Sequence, residues 1–344
     1  PRPTINVHHF MVQFLECFGP ARDAFTNRTK LPILTPEEYV AQLNPKQKPK
    51  MQRVMEWDRI HGFSARKDRV SRWNSRFTYF QKNEFLLKRS ISKIHQVSSR
   101  FQGENNFDSF AKPDAPRVIN FAGECNNWCS GCEVASAYRD TKASWAPGAE
   151  PLQSPQWKTR FAFTIGSGLN ALEIGAWMSA NDRVFGRGRY KLVETDASKF
   201  DGHMSRGFFL AFIQYVTRHW AVRKCFAWSV SKHINAKSRG MDGTTVPIPP
   251  TMRSGVTYTT LLNYWANAAI LAHAFEGTVD VARIIVAGDD GLIAIRNEQV
   301  CDQTKFIAKC RELGHDFKVS EESLSTAKFL SSHFTEIRRV ALKT

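Results

Sequence analysis

Ala282-Arg283-Ile284-Ile285-Val286-Ala287-Gly288-Asp289-Asp290-Gly291-Leu292-Ile293-Ala294-Ile295 reads as two largely apolar strands around a tight turn. Two carboxylates sit at the tip of an otherwise hydrophobic hairpin, and holding them together is costly unless cations neutralise them. An Asp-Gly hairpin turn is the plainer reading of the same letters and a frequent one. A turn needs one Asp, however. This one has two, with glycine on both sides, which suits close approach by something bulky.

Upstream, Thr257–Phe275 is a long helix candidate entered through the flexible pair Ser254-Gly255. Thr259 and Asn263 lie four apart on one face of it, so two small polar groups can read a sugar hydroxyl together. In isolation that pattern is more often a helix cap with an internal Asn. Further upstream, Tyr190–Thr195 reads as a short strand that delivers Asp196 to a sheet edge, and Asp201 follows past a turn. Met204–Trp220 has helical spacing, residues 236–255 read as Gly/Pro-rich loop, and residues 299–313 as an amphipathic helix followed by short strands. Residues 121–160, with Gly, Pro, Ser and three close cysteines, read as loop.

The first 120 or so residues look helical and basic. Thr35-Pro36-Glu37-Glu38 carries a capping residue, a proline suited to the first helical position and a capping-box partner. Between Arg66 and Arg100 ten basic residues face two acidic ones, with Trp73, Phe77, Tyr79 and Phe80 interleaved. That mixture suits a groove that tracks phosphates and stacks bases, and equally a solvated helix face over an aromatic core.

The whole chain has 344 residues, with 48 Lys plus Arg against 32 Asp plus Glu, a formal charge of +16. Such a surplus favours a polyanionic partner through counterion release. Seven scattered cysteines do not make a disulfide framework and point to a reducing compartment. No apolar run reaches the roughly 18–20 residues that cross a bilayer. The chain opens at Pro1, and is read as a segment of something longer.

The carboxylate segments together supply the parts for phosphoryl transfer by two metals, which needs no protein nucleophile. Mg²⁺ takes oxygen ligands and keeps several waters, so two or three carboxylates and substrate phosphates suffice. No G-x4-G-K-[ST] loop occurs, which argues against a P-loop nucleotidase.

In order, Asp196-x4-Asp201, Ser254-Gly255-x3-Thr259-x3-Asn263 and Gly288-Asp289-Asp290 resemble motifs A, B and C of viral RNA-dependent RNA polymerases. Asp196-Ala197-Ser198-Lys199-Phe200-Asp201-Gly202-His203 is similar to motif A of the tombusvirus and nodavirus kind. Gly314-His315-Asp316-Phe317-Lys318-Val319 resembles motif D, Lys328-Phe329-Leu330-Ser331-Ser332 a motif E turn, and Lys112–Ile119 the end of motif F. The resemblance covers roughly residues 105–335.

The resemblance implies an α/β (α+β) right-hand polymerase with an antiparallel palm sheet flanked by helices and a largely absent thumb. Fingers would span 1–185, with an insertion at about 120–153, and re-enter at 221–250. Palm would occupy 186–220 and 251–325, and 326–344 would hold motif E and the start of a truncated thumb. Asp196, Asp289 and Asp290 would hold two Mg²⁺ ions, for which Mn²⁺ can substitute. Asp201 and Asn263, helped by Ser254 and Thr259, would recognise the 2′-hydroxyl of the incoming nucleotide. Gly255 would give the loop mobility, Lys112 and Arg117 would hold the triphosphate, and Lys318 would be the general acid for departing pyrophosphate.

Partners would be RNA template and product strand, NTPs, and other viral replication proteins. The implied setting is the host cytoplasm, in membrane-associated complexes formed through regions outside this segment. A reverse transcriptase and an inactive RNA-binding replication scaffold are the rival readings. The first should carry a bulky sugar-excluding residue where this chain has Asp201 and Asn263; the second would bind RNA without releasing pyrophosphate.

Two departures stand out. The early Lys-x-Glu part of motif F is missing. The stretch between Arg117 and Ser154-Pro155 is longer than such polymerases show and carries Cys125, Cys129 and Cys132. Three thiolates so close suit zinc, whose structural sites take four ligands; Cys17, Cys225 or Glu133 would have to complete the set. Free buried cysteines in a small-residue segment are the alternative.

Overall fold

The computed structural model describes residues 1–22, 29–72, 76–77, 120–121, 124–232, 234, 236–239, 245–252, 255–323, 327–329 and 332–333. Ten helices and eleven strands lie among them.

Three helices come first: α1 (Val7–Phe18), α2 (Pro36–Gln42) and α3 (Lys48–Arg72). The capping box expected at α2 is present, with the Thr35 side chain accepting from the Glu38 amide and the Glu38 carboxylate from the Thr35 amide. Strands β1 (Arg76–Phe77) and β2 (Asn120–Phe121) precede α4 (Glu124–Ser144). This helix overturns the expectation of a loop over 124–144, while residues 145–159 are irregular as expected. Its sequence is poor in helix formers, yet nearly every turn of it is buried. Packing therefore decides its conformation over local propensity. Gly131 marks how tightly it is held, because a Cβ there would lie 2.3 Å from the Tyr39 ring.

Then come β3 (Arg160–Ile165), α5 (Ala171–Phe185), β4 (Tyr190–Ser198), α6 (Phe200–His203), α7 (Arg206–His219) and α8 (Cys225–Ser231). A second correction falls at 236–255, where β5 (Ala236–Arg239) and β6 (Thr245–Ile248) pair antiparallel instead of forming only loop. β5 also pairs with β1, so the segment between motifs A and B joins one small sheet with early strands, order β2-β1-β5-β6.

The chain continues through α9 (Thr259–Phe275), β7 (Val281–Ala287), β8 (Asp290–Arg296), α10 (Gln303–Glu312), β9 (Asp316–Glu322), β10 (Lys328–Phe329) and β11 (Ser332–His333). β10 and β11 pair antiparallel on either side of the expected motif E turn. The main sheet has the order β3-β7-β8-β4-β9, and only the β3–β7 pair is parallel.

Helices cover both faces of this sheet. Alternate residues of β7 divide between two cores. Ala282, Ile284 and Val286 join the larger core, with α1, α7 and α9, while Val281 and Ile285 join a smaller one under Trp177 and Met178 of α5. Phe14 and Phe18 of α1 pack edge-on against Phe163, which fixes the amino-terminal helix to the sheet. Burying each such ring is worth about 1.5–3 kcal/mol. The smaller core reaches Ala287 at the end of β7, and beyond it Asp289 and Asp290 at the turn are exposed.

Candidate active site

The apolar strands β7 and β8 are joined by a two-residue turn, since Ala287 pairs with Asp290. Gly288 occupies the first turn position with φ 70°, the left-handed conformation that glycine tolerates in a type II′ hairpin. Asp289 therefore projects from the turn, and Asp290 opens β8.

Register then brings in Asp196. It lies directly opposite Asp290 on one side and directly opposite Lys318 on the other. Directly opposed residues of antiparallel strands share a face, with Cβ atoms about 4.5–5.5 Å apart. Asp196, Asp290 and Lys318 thus form a row across three strands, with Asp289 at the adjoining tip, and all four are exposed. The Asp290 carboxyl titrates above its ordinary value. Partial desolvation is the largest cause, followed by the negative charges of Asp289 and Asp196.

The hairpin is tied down from below. Thr195 donates to the Gly291 carbonyl at 3.1 Å, and a Cβ on Gly291 would sit 2.6 Å from that hydroxyl and 2.7 Å from Leu271. The second glycine of the turn is thus required by β4 and α9, not by a ligand. Asn267 of α9 donates from its one amide nitrogen to the Gly288 carbonyl at 3.0 Å and the Asp290 carbonyl at 3.1 Å. Sequence reasoning passed over Asn267. The available signal was its position four residues after Asn263, on the same helical stripe.

Asn263 donates to the Asp201 carboxylate at 2.8 Å, joining α9 to α6. Its own Oδ1 is buried and has no hydrogen-bond partner among the described residues. The Asp201 carbonyl accepts from the Met252 amide at 2.8 Å, so motif A also holds the approach to motif B. Thr259 begins α9 and donates to the Val256 carbonyl at 3.1 Å. Gly255 has φ 115°, a conformation side chains avoid. Ser254, Lys112 and Arg117 lie outside the described residues, as do the side chains across the basic and aromatic stretch 66–100.

A family model described as RNA dependent RNA polymerase matches residues 157–338, which holds every element of this site. The chain belongs to the RNA-dependent RNA polymerases. It is a viral polymerase of the positive-strand kind and a nucleotidyltransferase, which favours RNA-templated RNA synthesis over both rival readings. Comparison with curated protein sequences gave no match.

The oxygen-only set at the hairpin tip fits a hard divalent cation, and the Asp290 carboxyl, raised first by desolvation and then by the charges of Asp289 and Asp196, is one whose ionised form a cation would favour. Among the described residues no three His, Cys, Asp or Glu side chains already converge closely enough to hold an ion. Metal binding by this polymerase would therefore draw on waters and substrate phosphates as well. The same holds for the thiols. Cys129, Cys132 and Cys225 are buried thiols in no disulfide among the described residues, while Glu133 is fully engaged by Arg223. Burial pushes the Cys132 thiol up to about 12, against the deprotonation that zinc requires. The buried-cysteine alternative is the one this geometry favours.

Proposed function

We propose that this polymerase transfers nucleoside monophosphates from NTPs to an RNA 3′-hydroxyl under template direction, releasing pyrophosphate, to replicate a viral RNA genome. The observation that carries the reading is the register Asp290–Asp196–Lys318 across β8, β4 and β9, beside Asp289 at the turn.

Asp196, Asp289 and Asp290 are the residues that would hold two Mg²⁺ ions, with Mn²⁺ as a substitute. Such ions, when bound, activate the attacking hydroxyl and stabilise the leaving oxygen. The chain's own part is positional. β4 and the β7–β8 hairpin set three carboxylates beside one another at one end of the sheet, and the Thr195 and Asn267 hydrogen bonds hold the hairpin there. Lys318, opposite Asp196 on the neighbouring strand, would be the proton donor to departing pyrophosphate.

The Asp201–Asn263 pair reads the sugar. Asn263 gives its amide hydrogen to Asp201 and keeps a buried oxygen free for the 2′-hydroxyl of an NTP. A dNTP would leave that oxygen without a donor. The assignment of Ser254, Lys112 and Arg117 to nucleotide binding, the division into fingers, palm and thumb, and the tombusvirus and nodavirus affinity belong to this proposal. So does work in membrane-associated complexes of the host cytoplasm. No described helix is long and apolar enough to cross a membrane.

Primer extension by the Asp289→Asn variant tests the site. Removing one of the clustered charges should cut extension by at least ~10³-fold, about 4 kcal/mol of transition-state stabilisation, with RNA affinity little changed. Near-normal extension by the variant would refute the assignment.

A further inference from the structure

Helix α4, where the sequence suggested a loop, runs alongside the whole start of motif B. Asn127 Nδ2 donates to the Gly255 carbonyl at 3.3 Å, and Ser130 shares a 2.6 Å hydrogen bond with the Thr257 hydroxyl. Two turns on, the Tyr138 ring stacks on Tyr264 with centroids 6.2 Å apart, and Thr141 accepts from the Trp265 indole at 3.2 Å. Residues 127, 130, 138 and 141 fall on one face of α4.

The helix is itself fixed from behind. The fully buried Glu133 carboxylate accepts from the Arg223 amide at 3.0 Å and from its Nε and Nη2 at 2.8 Å each. Arg223 Nη2 also bonds the Trp128 carbonyl at 2.8 Å, and its guanidinium lies 5.4 Å from the Trp128 ring centroid. α4 is thus rigid, whereas the loop it touches turns on Gly255 at φ 115°. The two short polar contacts fall on that glycine and two residues beyond it. They are the ones that break if the loop moves; the Tyr138 and Thr141 contacts go to α9 itself.

We propose that Asn127 and Ser130 are positioning residues that latch the motif B loop in its nucleotide-competent conformation. The inference rests on the polymerase reading of the site. Without the latch the loop spreads over several conformers, of which one admits the nucleotide. Apparent affinity then falls by the fraction competent, equally for NTP and dNTP.

Single-nucleotide extension by the full-length polymerase tests this with Ser130→Ala, Thr257→Val and the double variant, using NTP and the matching dNTP. Each single change should raise KM for NTP about 3- to 10-fold, the range set by one net hydrogen bond. The double should rise no further than the larger single, because one bond is lost only once. Preference for NTP over dNTP should hold, a result that general loosening of the sugar pocket would not give. Unchanged KM in either single, or effects that multiply in the double, would overturn the latch. Should Ser130→Ala fail to fold, Thr257→Val carries the test alone, with an unchanged melting temperature as its check. Asp289→Asn run alongside separates the two readings. If it abolishes extension while Ser130→Ala leaves KM untouched, the site stands and the latch falls; if it extends normally, the site reading falls.

Discussion

Replacing Asn267 with leucine keeps the branching and heavy-atom count of the side chain, at a larger volume, and removes the one amide that holds the tip of the β7–β8 hairpin. Its Nδ2 bonds the carbonyls of Gly288 and Asp290 at 3.0 and 3.1 Å, the residues on either side of Asp289. Asn267 is fully buried, so water does not simply replace it. At a net 0.5–1.5 kcal/mol per hydrogen bond, the two are worth about 1–3 kcal/mol of positional hold. If all of that hold is used to aim the carboxylates in the transition state, the rate falls by roughly 5- to 150-fold. In the proposed function the nucleotide is held elsewhere, by the Asp201–Asn263 pair, so KM for NTP should stay within about threefold. Steady-state single-nucleotide extension separates kcat from KM, and a thermal melt checks that the variant is folded. A folded Asn267→Leu enzyme with kcat within twofold of wild type would show that the hairpin keeps its aim without this residue, and the reasoning would fail.

Asn263→Ala should narrow the preference for NTP over dNTP, measured as the ratio of kcat/KM values; an unchanged ratio with lowered activity would mark Asn263 as structural. Glu133→Ala leaves the largely buried Arg223 cation without its carboxylate, which should cost about 3–5 kcal/mol in urea unfolding; a loss below ~1 kcal/mol would mean that α4 does not depend on the pair. His315, enclosed by the Phe200, Phe208 and His203 rings, has its pKa lowered to about 4, chiefly by burial and further by the His203 and amino-terminal charges, with the Leu313 carbonyl and Asp316 opposing. Being neutral in the fold, it contributes stability that is present above pH 6.5 and lost as pH falls toward 4. That loss is about 2 kcal/mol between pH 7 and 5, and His315→Phe should lose less over the same interval; parallel pH profiles of melting temperature would refute this.

What could be read from the sequence follows from how local each signal is. The β7–β8 hairpin announces itself because seven of its strand residues are Val, Ile or Leu and its turn needs glycine at Gly288. Asp196 and Asp201 were legible for the same reason, since a strand and the turn after it place them. The resemblance joined these pieces in order. Register was not legible. Nothing in the letters says that Lys318 lies opposite Asp196, and the motif D reading of Lys318 gained its position only when β9 was paired to β4.

The misreading of 121–160 has a different cause. Amphipathic periodicity appears when one face of a helix meets solvent, and α4 has no such face along most of its length. It lies between α3 and α8 with α9 alongside, and fills those contacts with small and polar residues that bond in pairs: Ser130 with Thr257, Glu133 with Arg223, Thr141 with Trp265. Each pair joins segments far apart in the chain, so neither partner explains itself alone. The feature that made the stretch look like a loop, many small polar residues and cysteines, is what lets a helix pass through the middle of the protein. A surface cover would tolerate deletion. A buried helix that braces motif B would not, and its Ser130 and Asn127 are where bracing becomes control of the loop that admits the nucleotide.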